Sequence, residues 1–181
     1  MNRVFRIMPP HVVPDGTLVA PFLNARDNTS GLPFDLLDGF SLAAGTIPPH
    51  ARSKIHVMPF VTQVTFVRRG TLTVRMKAAG DREPYLLAAQ ADEAVLTEAG
   101  AFVQLVNESA APCELLYVVS PAYVFEQQEG EVRYDDSLVL DESWADLAAN
   151  QWRPSRPLPT IGKRREALLR LAATDAALRP L

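Results

Sequence analysis

The stretch His56–Gly70, HVMPFVTQVTFVRRG, places several chemically useful side chains at short spacing. Residues i and i+2 of a β-strand face the same side of a sheet, so His56 and Met58 are expected to share a face with Lys54. If the chain then reverses in an antiparallel hairpin, Gln63 points into the same cavity. Because histidine titrates near neutral pH, we predict that His56 is the catalytic residue, a general acid or base. The alternatives are a ligand-binding donor, or an interior histidine hydrogen-bonded to Gln63 or to a hydroxyl.

Two further side chains are candidates for ligand binding. Lys54 could bind a carboxylate of the ligand if it faces the cavity, or it could lie at the rim in water. Tyr117 alternates with Cys113, Leu115 and Val119, so it could add a phenol to the pocket or belong to the core. Cys113 is the single cysteine, and a buried unpaired thiol behaves as a small hydrophobic side chain.

Short strands are the dominant pattern between residues 40 and 121. Residues 71–77 alternate apolar and polar side chains, which is typical of a half-buried strand. Many short strands separated by proline and glycine turns favour a sandwich or barrel. The predicted strands are Thr17–Leu23, Phe40–Ile47, Lys54–Met58, Gln63–Arg69, Thr71–Lys77, Pro84–Ala89, Ala94–Thr97, Ala101–Asn107 and Cys113–Ser120.

The two ends of the chain differ from this middle part. We expect an N-terminal arm over residues 1–34, a β-barrel over 35–125 and a C-terminal extension over 126–181. The extension has helical spacing at Ser143–Asn150 and again at Lys163–Arg179, which predicts two helices.

Composition excludes several classes of function. The 181 residues include 48% hydrophobic and 22% charged side chains, which is typical of a folded globular chain. The net charge is −3 and no long basic run occurs, so a nucleic acid is not an expected partner. The acidic cluster Tyr134–Asp136 is expected to be a solvated turn. Because the sequence shows neither an apolar membrane span nor a signal peptide, we predict a cytoplasmic protein with no membrane partner.

The same stretch resembles the first motif of the cupin superfamily, G(X)5HXH(X)3,4E(X)6G. His56, Met58, Gln63 and Gly70 fall on its two histidines, its glutamate and its closing glycine. Its opening glycine is displaced, because Gly45 lies eleven residues before the histidine.

The stretch DEAVLTEAGAFVQLVN resembles the second cupin motif, G(X)5PXG(X)2H(X)3N. Asp92, Glu98, Gly100, Val103 and Asn107 occupy its named positions. The two motifs lie in the family's order with a strand pair between them, and the resemblance covers roughly residues 40–121. It implies an all-β core, the double-stranded β-helix or cupin jelly-roll barrel, to which the pattern above adds C-terminal α-helices.

The resemblance also implies a metal, which the family holds with two histidines, a glutamate and a third histidine. Those positions are His56, Met58, Gln63 and Val103 here. Valine offers no donor atom, and a thioether suits Cu(I) better than iron, manganese or nickel. We therefore expect a pocket without the usual metal, and leave the cofactor open. If a metal is present, His56 and Gln63 would hold it together with His50, or with His11 from the arm.

Three hypotheses about function remain. In the first, a small organic molecule binds in an apolar barrel pocket that includes Met58 and Val103. The protein then acts as an isomerase, dehydratase or cyclase of a biosynthetic pathway, or it binds the molecule without catalysis. In the second, a rearranged ligand set supports a metal-dependent, dioxygenase-like enzyme. In the third, the protein has a non-catalytic structural or interaction role. Resemblance to the cupins also implies a homodimer.

Overall fold

The computed structural model of the protein describes residues 8–23, 39–78, 80–129, 131–140, 143–147, 166, 167, 170, 173, 178 and 179. These residues form mostly short antiparallel strands. The strands are β1 (His11–Val12), β2 (Leu18–Leu23), β3 (Ser41–Ile47), β4 (Ile55–Val57), β5 (Thr62–Arg69), β6 (Thr71–Lys77), β7 (Tyr85–Gln90), β8 (Ala94–Thr97), β9 (Phe102–Val106), β10 (Cys113–Ser120), β11 (Phe125–Gln128), β12 (Glu131–Asp135), β13 (Leu138–Leu140) and β14 (Leu178–Arg179). A single helical turn, α1, spans Trp144–Leu147.

Two six-stranded sheets contain most of these strands. The first sheet has the order β1-β2-β3-β10-β5-β8, and the second has the order β14-β13-β4-β9-β6-β7. The hairpin β11-β12 stands apart from both sheets. Consecutive strands repeatedly change sheet, as in a jelly roll, and the predicted all-β core is confirmed.

The core lies between the inner faces of the two sheets. In β6 the apolar Leu72 and Val74 are fully buried, as their alternation with polar residues predicts. They belong to one cluster with Ile47, Val67 and Leu115 from the first sheet. Burial of this apolar surface is the main force that holds the two sheets together.

The outer face of the second sheet is covered by α1. Trp144 and Leu147 are buried in a second apolar cluster with residues from β4, β9 and β13. The indole Nε1 of Trp144 donates to Gln104 Oε1 at 3.0 Å, and the guanidinium of Arg75 lies 5.1 Å from the indole ring centre. The buried Lys77 ammonium donates to the carbonyl oxygen of Leu147 at 2.9 Å, which fixes the end of the turn.

The C-terminal helices are not confirmed as predicted. Within Ser143–Asn150 the described helical residues are Trp144–Leu147, and residues 166, 167, 170 and 173 are helical in the second range. The helix predicted over Lys163–Arg179 is wrong at its end, because Leu178–Arg179 is β14 and pairs with β13. Pairing along the open sheet edge satisfies these backbone groups and overrides a helical sequence pattern. None of the helices in the described part of the chain is long and apolar enough to cross a membrane.

Both flanks of the barrel range contribute strands to the sheets. β1 and β2 come from residues 1–34 and extend the first sheet beyond β3. β13 comes from residues 126–181 and pairs with β4 in the second sheet. β13 lies directly beside His56, the histidine of the first motif, and the β1–β2 turn approaches it at Asp15.

The second motif contributes a turn residue, Asp92, and a clamp, by which we mean the Asn107 amide that joins three segments. Asp92, in the place of the motif's glycine, adopts a left-handed backbone with φ of 72°. The buried Asn107 amide donates to the carbonyl oxygens of Ile47, Pro48 and Ala111 at 2.8–3.0 Å. Asn107 therefore fastens the end of β9 to the β3–β4 turn and the start of β10.

Candidate functional site

A cavity of about 120 Å³ lies between the inner faces of the two sheets. Its walls are mostly apolar and include Met58, Val19, Val119 and Val139. The polar side chains that line it are His11, Asp15, Thr17, Ser41, His56, Gln63, Tyr117, Tyr123, Asp135 and Ser137. An apolar cavity with a few convergent polar groups is the usual form of a small-molecule site.

His56 lies in the middle of β4, between Val139 on β13 and Val103 on β9. Its side chain is buried, and Nδ1 lies 3.1 Å from the carbonyl oxygen of Lys54 and 3.6 Å from Oδ2 of Asp15. A carbonyl oxygen only accepts, so this contact assigns the proton to Nδ1 in the neutral ring. Nε2 is then the unprotonated nitrogen.

Asp15 is held in the turn between β1 and β2. Its Oδ1 accepts hydrogen bonds from the Thr17 backbone N–H at 2.9 Å and from Thr17 Oγ1 at 2.8 Å. Its own carbonyl oxygen accepts from the Lys54 N–H at 2.6 Å. Gly16 allows this tight turn with φ of 91°. The turn therefore presents the carboxylate to His56 with little freedom.

A second polar pair lies in the same cavity. The Tyr123 hydroxyl and the Ser137 backbone N–H both donate to Oδ1 of Asp135, the latter at 3.0 Å. Burial raises the pKa of Asp135 from its ordinary 3.8 to about 7, against the opposing effect of these two hydrogen bonds. Repulsion from Asp136 and Asp15 raises this pKa further. Asp135 is therefore a carboxyl group that exchanges a proton near neutral pH.

Tyr117 lines the cavity from β10, and its hydroxyl is buried with no hydrogen-bond partner among the described residues. Its ring lies over Gly45 on β3, where an added Cβ would come within 2.3 Å of Cε2. Burial first, and then the charge of Asp15, raise the pKa of Tyr117 well above its ordinary value. The hydroxyl is therefore a protonated, unused donor.

The structure brings together His56, Met58, Gln63 and Tyr117 of the predicted site residues. The predicted hairpin is nevertheless wrong, because β4 pairs with β9 and β13 whereas β5 pairs with β10 and β8. The chain crosses from one sheet to the other after β4, and the side chains meet across the cavity. The Gln63 amide already makes one hydrogen bond within the protein, since its Nε2 donates to Thr65 Oγ1 at 3.0 Å.

Three other predicted residues lie elsewhere. Lys54 is exposed and borders an open groove on the outer face of the second sheet, because the strand alternation starts only at Ile55. Val103 is buried in the core beside His56 but does not line the cavity. His50 is exposed in the β3–β4 turn, with φ of 56°, and does not line the cavity either.

Sequence reasoning missed both acidic groups that line the cavity, Asp15 and Asp135. Asp135 and Asp136 are buried, so the predicted solvated turn at Tyr134–Asp136 is wrong. Asp136 Oδ2 accepts the backbone N–H of Val124 at 2.8 Å, a bond that helps anchor this segment. The Asp15–Gly16 pair signals a turn in the sequence, but nothing local shows that this turn faces His56.

The residues present do not fit the family's metal. Of the four motif positions only His56 carries a strong donor for a divalent ion, and Val103 has none. Among the residues that the structure describes, no group of three or more histidine, cysteine, aspartate or glutamate side chains could hold an ion.

No family model matches the sequence, and no curated protein does. Solved structures of similar fold do match. The Drosophila melanogaster CENP-C cupin domain is 14% identical with a TM-score of 0.52, covering 65% of this chain and 80% of that domain.

Two enzymes show a comparable likeness. Oxalate decarboxylase from Bacillus subtilis is 16% identical, with a TM-score of 0.53, covering 65% of this chain and 28% of the enzyme. An oxalate oxidase is 20% identical, with a TM-score of 0.51, covering 60% of this chain and 53% of the oxidase. A likeness at this identity concerns the fold, and it confirms the jelly-roll barrel.

Proposed function

We propose that this chain, which has the fold of the cupin superfamily, binds a small organic molecule in its barrel cavity and transfers protons on it. The observation that carries this proposal is the convergence of two titratable pairs, His56 with Asp15 and Asp135 with Tyr123, on one largely apolar cavity. The reaction class is isomerisation, dehydration or cyclisation, because each of these moves protons without an added oxidant or reductant.

His56 is the proposed general base. With the proton on Nδ1, the lone pair of Nε2 is available to remove a proton from the bound molecule. The ring then becomes an imidazolium, which forms an ion pair with Asp15 at 3.6 Å. Asp15 is a positioning residue, since it acts through the histidine.

Asp135 is the proposed general acid. Near neutral pH a large fraction of this buried carboxyl is protonated, so it can return a proton to the molecule. In an isomerisation the proton goes to a different atom from the one that lost it. In a dehydration it goes to the departing hydroxyl, which leaves as water, and the electron pair of the broken C–H bond forms the new double bond.

A two-stage experiment tests this proposal. Small ketones, hydroxy ketones and hydroxy acids are first screened for binding by NMR of the [13C]methyl group of Met58, which lines the cavity. Compounds that bind are then incubated with the protein in D2O, and deuterium at carbon is measured by mass spectrometry. We expect the native protein to accelerate exchange and His56→Gln to lose that acceleration, whereas His50→Asn, altered in an exposed turn, keeps it.

Two results would contradict this function. Bound compounds that exchange no faster than in buffer would exclude proton transfer. Stoichiometric iron, nickel or manganese in protein purified without chelator would instead favour the metal-dependent alternative, in particular if His56→Ala lost that metal.

The homodimer remains a proposal as well. It is supported by Val64 and Leu96, which are directly opposed on β5 and β8 and are 37% and 54% exposed on the first sheet. Sedimentation of the native protein and of Leu96→Lys tests it, with Leu86→Lys on the other sheet as control. A native protein that sediments as a monomer at all concentrations would exclude a dimer.

A further inference from the structure

The Tyr117 hydroxyl is a buried donor that nothing among the described residues uses. A buried polar group without a partner is unfavourable, and such groups are rare in folded proteins. Gly45 leaves the ring room to lie against β3, and Tyr117 lines the cavity. A bound molecule with an acceptor oxygen would satisfy this donor.

The charges around the cavity restrict the molecule further. No lysine or arginine of the described chain lines the cavity, whereas Asp15 and Asp135 both do. Carboxylate ligands are usually held by guanidinium or ammonium groups, and none of the described residues brings such a group to this cavity. A ligand carboxylate would add a negative charge beside two carboxyl groups in a mostly apolar space, which is costly.

The remaining walls are apolar, with Val19, Val119 and Val139 among them. We infer that the cavity selects a small uncharged molecule whose carbonyl or amide oxygen accepts a hydrogen bond from Tyr117, and that it rejects carboxylates. This inference rests on the proposed binding function and narrows its substrate class. It does not depend on proton transfer.

Three probes of nearly the same shape test the charge selection. Isobutyramide is uncharged, isobutyrate is an anion and isobutylamine is a cation at pH 7.5. Protein labelled with [13C]methyl methionine gives few signals, because the chain has four methionines. Met58 reports on the cavity, and Met76, buried in the core away from the lining, reports on the fold. The Met58 signal is assigned with Met58→Leu.

We expect isobutyramide to shift the Met58 signal saturably, with a dissociation constant on the order of millimolar for so small a ligand. Isobutyrate should bind at least about tenfold more weakly, because its charge would lie beside the carboxyl groups of Asp15 and Asp135 in a mostly apolar space. Isobutylamine should also bind more weakly, because its ammonium group offers no acceptor to the Tyr117 hydroxyl. Equal binding of the acid and the amide would overturn the inference, as would tighter binding of the amine.

Tyr117→Phe tests the hydrogen bond itself. It should weaken isobutyramide about 3- to 10-fold, the loss expected for one hydrogen bond. Tyr85→Phe is the matched control, since it also removes one phenol hydroxyl, which contacts Met76 Sδ at 3.3 Å outside the cavity. The Met76 signal is therefore expected to move in this variant, and only the Met58 titration is compared. Unchanged binding in Tyr117→Phe would overturn the role of this hydroxyl, even if the charge selection held.

The outcomes separate this inference from the proposed function. If none of the three probes shifts Met58, and the screened compounds also fail to shift it, small-molecule binding itself is contradicted. If isobutyramide binds selectively but no bound compound exchanges deuterium, the ligand class stands and proton transfer fails.

Discussion

Replacing Asp135 by asparagine should remove a large part of the pH dependence of stability. Burial raises the pKa of this carboxyl from 3.8 to about 7. Between those values the folded protein keeps the proton that the unfolded chain releases, so the free energy of unfolding falls as pH rises. Each pKa unit corresponds to about 1.4 kcal/mol, which gives a loss of about 4 kcal/mol between pH 4 and 8.

The asparagine variant retains the geometry but not the titration. Its amide oxygen can still accept from Tyr123 and from the Ser137 N–H, which is 3.0 Å from Oδ1 in the native protein. We therefore expect Asp135→Asn to be about as stable as the native protein at pH 4. At pH 8 it should be more stable by up to about 4 kcal/mol.

Urea denaturation followed by tryptophan fluorescence at each pH from 4 to 8 measures this difference. Asp92→Asn is the control, because Asp92 is exposed and asparagine tolerates its left-handed backbone. Parallel pH profiles for the native protein and Asp135→Asn would refute the reasoning. A carboxyl carbon of Asp135 that titrates below pH 5 by NMR would refute it independently.

Three further substitutions test packing and anchoring. Gly45→Ala should destabilise the protein by about 1–3 kcal/mol in urea denaturation, because its Cβ would lie 2.3 Å from the Tyr117 ring, and Tyr117→Ala in the same chain should abolish that cost. Additive costs in this double-mutant cycle would exclude the clash. Lys77→Met should accelerate hydrogen exchange at the Leu147 amide by about tenfold, because a charge-assisted hydrogen bond that holds the turn is lost. Unchanged exchange would show that this bond does not anchor α1. Asn107→Ala should cost about 2–4 kcal/mol in urea denaturation, since three carbonyl oxygens lose their donor. A cost below about 0.5 kcal/mol would contradict the clamp.

The barrel strands could be predicted from the sequence because their signals are local. The strands Thr71–Lys77, Ala94–Thr97 and Cys113–Ser120 have the predicted bounds, since alternation and turn residues determine them. The same alternation predicted the wrong face for Lys54. The strand β4 has only three residues, Ile55–Val57, and Lys54 precedes it.

Part of the site could not be predicted because long-range pairing assembles it. Asp15 reaches His56 through the β1–β2 turn, 41 residues away along the chain, and that approach depends on how the flanking strands join the sheets. Asp135 is adjacent to β13, whose pairing with β4 carries the acidic segment into the interior. A window of sequence around either aspartate indicates a turn but does not show which way the carboxylate faces.

The residues that stabilise the barrel and those that supply acidic groups to the cavity lie in different parts of the chain. This separation affects how such a protein can change during evolution. Residues that fasten the barrel, such as Asn107, lie in the central part of the chain. Two acidic groups of the cavity come from the flanking segments at Asp15 and Asp135. Mutations in those flanks can alter which molecules enter while the hydrogen bonds of Asn107 stay intact, so new specificities could arise without rebuilding the barrel.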